Sequence, residues 1–133
     1  MATKDLKNNI AVDISLDPQA ISSDTTTSGN TIDTKGYESV TIVFAGAVTD
    51  GTYTPVIKEG SSSTGNGATA VADADLLGTE ALAALTTTQT ESKVGYIGSE
   101  RYVTVDIVSA STTTGATVGA VAVLGHPHVA PTA

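Results

Sequence analysis

The 133-residue chain has no cysteine and no tryptophan, and it holds only one phenylalanine and four prolines. Without cysteine it can form neither disulfides nor thiolate metal sites, and its redox compartment is left open. With one Phe and four Tyr it has few large rings, each of which would bury about 150–250 Å². The core must then be built from small and β-branched side chains, and its stability is expected to lean on a partner surface or on oligomerisation. Basic residues are scarce as well. Six Lys and Arg against fourteen Asp and Glu give a formal charge of -8, with no basic patch to meet a phosphate backbone, so no direct binding of nucleic acid is expected. No window has the length and apolarity of a membrane span, so no membrane partner is expected. The polar start MATKDLKNNI is not followed by an apolar run of about 7–15 residues, so no signal peptide is expected.

What the chain does have is β-pattern. The clearest stretch is residues 37–57, where Val40, Ile42 and Phe44 share one face and Thr41 and Val43 the other. Asp50-Gly51 then reads as a tight hairpin turn, because Gly takes positive φ freely and Asp tolerates it. Pro55, with no N–H for a ladder, puts the return strand at an edge or a bulge. Residues 9–16 alternate too, with Ile10, Val12, Ile14 and Leu16 on one side, and Asp17-Pro18 is expected to end that strand. Strands are also expected at 91–97, 101–109 and 116–124. In the last of these, the small Gly119, Ala120 and Ala122 would let another sheet or chain approach closely. Shorter strands are expected near 20–21, 31–33 and 68–72, and residues 60–67 read as a flexible loop. Residues 73–78 read as one helical turn or a tight loop, with Asp73 as cap and Gly78 as terminator. Over residues 79–85 a short helix and a strand compete.

A weak internal echo, offset by about 63 residues, matches residues 40–43 and Asp50-Gly51 to residues 103–108 and Thr114-Gly115. It suggests two similar hairpins in related positions. Together these signals describe an all-β chain, an antiparallel β-sandwich or jelly-roll-like fold of about eight short strands. Residues 9–125 form the domain and residues 1–8 a flexible arm. Residues 126–133 form an extended tail whose prolines cannot continue a central strand.

Chemistry is hard to find. His126-Pro127-His128 brackets a proline with no carboxylate nearby in sequence, which is weak as a metal site. Asp73, Asp75 and Glu80 lack the further ligands of a calcium loop and read as a solvated acidic loop. The glycines of 60–67 lack the Lys-Ser/Thr of a phosphate loop, and no Gly-x-Ser-x-Gly elbow occurs. No catalytic, cofactor-binding or metal-binding residues are assigned, no cofactor is expected, and an enzyme is not expected. The partner-binding candidates are the two ends: Lys4 and Lys7 in the arm, and His126, Pro127, His128, Val129 and Pro131 in a tail stiffened by proline.

Several stretches carry a family resemblance. They are Asp24-Thr25-Thr26-Thr27, Ile32-Asp33-Thr34-Lys35-Gly36-Tyr37-Glu38-Ser39-Val40, Thr49-Asp50-Gly51-Thr52-Tyr53-Thr54-Pro55, Ala70-Val71-Ala72-Asp73, Gly95-Tyr96-Ile97-Gly98, Arg101-Tyr102-Val103 and the ending from Val121 to Pro131. With them the chain resembles small β-rich virion proteins of tailed bacteriophages and prophages, and among these most of all capsid decoration, or cement, proteins. The resemblance implies a structural protein on the outside of the head, present in host cytoplasm during assembly. Its implied partners are the major capsid protein and copies of itself, as dimer or trimer. The loop at 60–67 departs from that pattern, which is often bulkier there and carries an aromatic. A tail or head–tail connector component and a carbohydrate-binding module are the alternative expectations.

Overall fold

A computed structural model describes residues 4–129. Nine strands follow in order: β1 Ile10–Ile21, β2 Thr26–Asp33, β3 Tyr37–Val48, β4 Thr52–Gly60, β5 Thr69–Ala70, β6 Leu76–Leu77, β7 Glu91–Tyr96, β8 Tyr102–Ala110 and β9 Ala116–Pro127. Helix is confined to the 3₁₀ turns Lys7–Asn9 and Asp73–Asp75. All strand pairs are antiparallel, in a five-stranded sheet ordered β1-β9-β3-β7-β6 and a four-stranded sheet ordered β2-β8-β4-β5. The fold is an all-β sandwich.

The core lies between the sheets. Val40, Ile42 and Phe44 of β3 and Val118, Ala120, Ala122 and Leu124 of β9 are buried from one side, and Val103, Val105 and Ile107 of β8 from the other. The face expected for β3 is therefore the observed one. Tyr96 of β7 ties the sheets together polarly, since its hydroxyl donates to Glu59 Oε2 of β4 at 2.5 Å and accepts the Glu100 N–H at 3.0 Å. Burial, reinforced by the Glu59 carboxylate, pushes the Tyr96 pKa up.

The expected hairpin at Asp50-Gly51 is a corner instead. β3 pairs with β7 and β9 in one sheet, and β4 with β8 and β5 in the other, so the turn carries the chain across the sandwich. Its chemistry is as read: Gly51 has φ +88°. The Asp50 carboxylate, however, reaches the facing corner, where it accepts the N–H groups of Thr113, Thr114 and Gly115 at 3.0, 2.9 and 2.9 Å. These three donors hold its pKa below the usual carboxylate range. The sequence echo thus corresponds to two corners that meet. In the units β2–β3–β4 and β7–β8–β9, the outer strands of each pair with the middle strand of the other.

β1 is longer than expected. It runs through Asp17-Pro18 by means of two irregularities, at 14–16 and at 16–19. A proline is tolerated there because β1 is an edge strand and the chain bulges at that point. Pro55 also sits where its sheet is open, since β5 pairs only with Lys58 and Glu59. Residues 79–85 become neither helix nor a regular strand. Ala83 N–H donates to the carbonyls of Thr79 and Glu80, and Leu85 forms an isolated bridge with Tyr53.

Candidate docking surface

The five-stranded sheet is apolar on both faces. Across its outer face the register sets Val12 beside Val123 and Thr41, Ile14 beside Val121 and Val43, and Gly119 beside Ala45. Ser15 is what makes this possible. It is the extra residue of the first β1 bulge, so Leu16 pairs with the inward Ala120 and is buried, while Val12 and Ile14 stay outside. The single shared face expected for Ile10, Val12, Ile14 and Leu16 is therefore corrected at Leu16. Val12 is 65% exposed, and Leu77, which lies over Gly95 at the other edge, is 60% exposed.

Relief on this face comes from residue size. Ile14, Val121 and Val43 stand as a ridge across three adjacent strands. Next to it, Gly119, Ala45 and Ala47 leave a shallow hollow of about 410 Å³, closed on the β1 side by Pro18, which packs over Gly119. The charged outer-face residues at the β7 border are Glu91, opposite Ala45, and Lys93, opposite Val43.

The two chain ends come together at one end of this sheet, where His126 and Pro127 are the candidate residues that border the space between them. Leu6, Asn9 and Ile10 from the N-terminal side and Gly125, His126 and Pro127 from the C-terminal side border a hollow of about 540 Å³ with Ser39, Thr41 and Val123. The N-terminal side is ordered by Asp5, whose carboxylate accepts the Asn8 side-chain and backbone N–H groups at 3.0 and 3.1 Å, which holds its pKa low. Lys4 and Lys7 are exposed beside this turn, and among the described residues Lys7 reaches its neighbour Asn8, at 3.4 Å.

At the C-terminal side the structure corrects the expectation that the tail cannot continue a central strand. His126 and Pro127 are the last residues of β9, and Pro127 pairs with Tyr37. Pro127 lies past Ile10↔Gly125, the outermost β1–β9 pair, so its missing N–H costs that ladder nothing. His126 takes φ +49°, with Nδ1 hydrogen-bonded to the Ser39 hydroxyl at 2.8 Å. His128 holds Glu38 Oε1 through Nε2 at 2.5 Å, and Val129 is exposed beyond it. Each histidine is thus occupied by a different β3 side chain. Pro131 lies outside the described residues.

The other acidic candidates separate. Glu80 Oε1 accepts the Ile57 N–H at 2.6 Å, completing the open edge of β4, whereas Asp73 and Asp75 remain in their 3₁₀ turn. Of the small residues expected to allow close approach, Ala120 and Ala122 lie in the core and Gly119 on the outer face, but the apolar outer face as a whole is what sequence reading missed. Its signal was the near-continuous apolar run of β9, VGAVAVL, since a strand apolar on both sides is one covered on both sides.

No family model and no curated protein sequence matches the chain. Several solved structures match the chain, two of them as follows. One, the SPBc2 prophage-derived protein YomS, has 14% identity and a TM-score of 0.50, over 86% of this chain and 93% of that one. The other, PirA, has 8% identity and a TM-score of 0.41, over 93% and 99%. The first likeness supports the sandwich fold.

Proposed function

We propose that the protein is a non-enzymatic structural component of a tailed-phage or prophage particle, a decoration protein on the outside of the head. In this reading it docks on the major capsid protein, bridges neighbouring subunits and associates with copies of itself. The observation that carries it is the meeting of both chain ends around one hollow at the rim of an apolar sheet face. That arrangement gives a protein lattice an apolar seat and two adjacent segments, one bearing Lys4 and Lys7, to lay against an acidic neighbour. The fold likeness to a prophage-derived protein and the phage-like stretches of the sequence support the same reading. A sugar-binding module would need exposed rings to stack on. Here Phe44, Tyr53 and Tyr96 are buried, and Tyr37 and Tyr102 are half-buried.

The test uses purified particles and purified heads lacking this protein. Immunogold labelling is expected on the head, and added protein is expected to co-sediment with bare heads and raise their disruption temperature, because a ligand of the assembled state stabilises it. Label on the tail would assign the protein to the tail or the head–tail connector. Absence from particles, or no co-sedimentation at saturation, would overturn the reading.

A further inference from the structure

We infer that the outer face of the five-stranded sheet is the contact between two copies of this chain, packed face to face about a two-fold axis that runs across the strands. This deepens the self-association part of the proposed function and stands without the capsid.

Size is the first argument. The outward stretches of β1, β9, β3 and β7 cover a flat area of about 600 Å² at ~3.3 Å per residue and ~4.8 Å between strands. Side chains standing up from that plane bring its accessible surface near the ~800 Å² per partner of a standard specific interface.

Charge is the second. The chain carries -8, yet this face offers one charge of each sign, Lys93 and Glu91, on adjacent outward positions of β7. Among the described residues neither side chain has an ion-pair partner. Two copies can therefore meet here without the like-charge repulsion that the rest of an acidic surface would impose.

Shape is the third, and it fixes the register. Along each strand, the ridge row of Val121, Val43 and Lys93 is followed by the hollow row of Gly119, Ala45 and Glu91. A two-fold axis lying between these rows sets each ridge over the other copy's hollow. The same operation sets each Lys93 against the other copy's Glu91. An isologous contact of this kind is satisfied twice by one arrangement. A foreign partner would have to match the relief and both charges by its own sequence.

Sedimentation velocity of the full purified chain tests the inference. Twice the chain mass is expected. Val43→Glu should weaken the dimer by about 100-fold or more, since a charge is then buried in the hollow. Its thermal unfolding as a monomer should be little changed, because Val43 points away from the core. Should Val43→Glu fail to fold, the charge variants remain. Lys93→Glu and Glu91→Lys should each weaken association by about tenfold, and the double swap should restore it to within a few-fold. A wild type that stays monomeric, an unaffected Val43→Glu dimer, or a double swap no better than the singles would each overturn the inference. None of these results depends on whether the protein is found on a phage head.

Discussion

The carbonyl oxygen of Ser15 lies where a Cβ on residue 29 would stand, so Gly29 is the residue that lets β1 touch β2. The Val105 carbonyl crowds the same point at 2.7 Å. Both neighbours are backbone, and both strands are irregular there, β1 around Ser15 and β2 between Ser28 and Thr31. The Asn30 side-chain amide donates to the Ile14 carbonyl at 3.1 Å and closes the seam.

Gly29→Ala should accordingly be among the most damaging single-methyl additions in the chain. With backbone on both sides there is no flexible side chain to yield, so a loss on the order of 3 kcal/mol is expected. Urea denaturation of the variant against Gly60→Ala, whose nearest contact is Ala68 Cα at 3.3 Å, is the comparison to make. Equal midpoints for the two would mean the seam separates readily.

Phe44 is the single phenylalanine, is fully buried, and faces β8 across the core. Phe44→Ala should cost about 3–5 kcal/mol, the transfer loss plus the cavity. In a core of otherwise modest side chains, much of that cavity should persist. Chemical denaturation reads it, and a midpoint shift worth less than about 1 kcal/mol would contradict the packing.

Asp50 gives a pH-dependent prediction. Its folded pKa is depressed by the Thr114, Thr113 and Gly115 N–H groups. Its contribution is therefore fully present above the ordinary carboxylate pKa of about 3.9 and is lost as pH falls through the lower folded value. Asp50→Asn should lower Tm at neutral pH, and the gap from wild type should close on acidification. A gap that persists unchanged into strong acid would remove the carboxylate from the explanation. Asp33 behaves in the same direction, with its pKa lowered to about 2 by the Arg101 guanidinium at 2.8 Å. Both partners are about half exposed, so Arg101→Gln should cost well under 1 kcal/mol.

The chain ends offer a test of docking. Lys4→Glu with Lys7→Glu should leave thermal unfolding unchanged while weakening attachment to bare heads and flattening its salt dependence. Removing residues 128–133 should spare the sandwich, whereas removal from 126 also strips the Tyr37↔Pro127 pair from β9. Unchanged attachment by both the charge variant and the shorter truncation would move docking to the sandwich loops.

The strands of this fold were legible where one side faces the core and the other faces water. Val40, Ile42 and Phe44 against Thr41, and Val103, Val105 and Ile107 on β8, declare their burial by alternation. Legibility failed at three kinds of place. Asp50-Gly51 has the chemistry of a hairpin turn, but which sheet receives the returning strand depends on residues 113–115, some sixty positions away. At Ser15 a bulge turns Leu16 to the inner face, the second irregularity before Gln19 restores the original alternation so that Ile21 is buried, and no local residue type announces either. His126-Pro127 breaks a rule about proline that applies only where both neighbouring strands continue. The chain ends were visible as segments, but the sequence could not show that they converge, nor that the sheet between them is bare.

The bulges of β1 have one more effect. An edge strand normally offers a row of free N–H and C=O groups on which another chain can extend the sheet. Here one sheet ends in the doubly bulged, proline-bearing β1 and the two-residue β6, and the other in the bulged β2 and the two-residue β5. No terminal strand of either sheet thus offers a long, regular ladder for strand-by-strand extension. In a chain rich in Thr and Val, edges of this kind work against the growth of cross-β fibres when the protein is crowded at high local concentration.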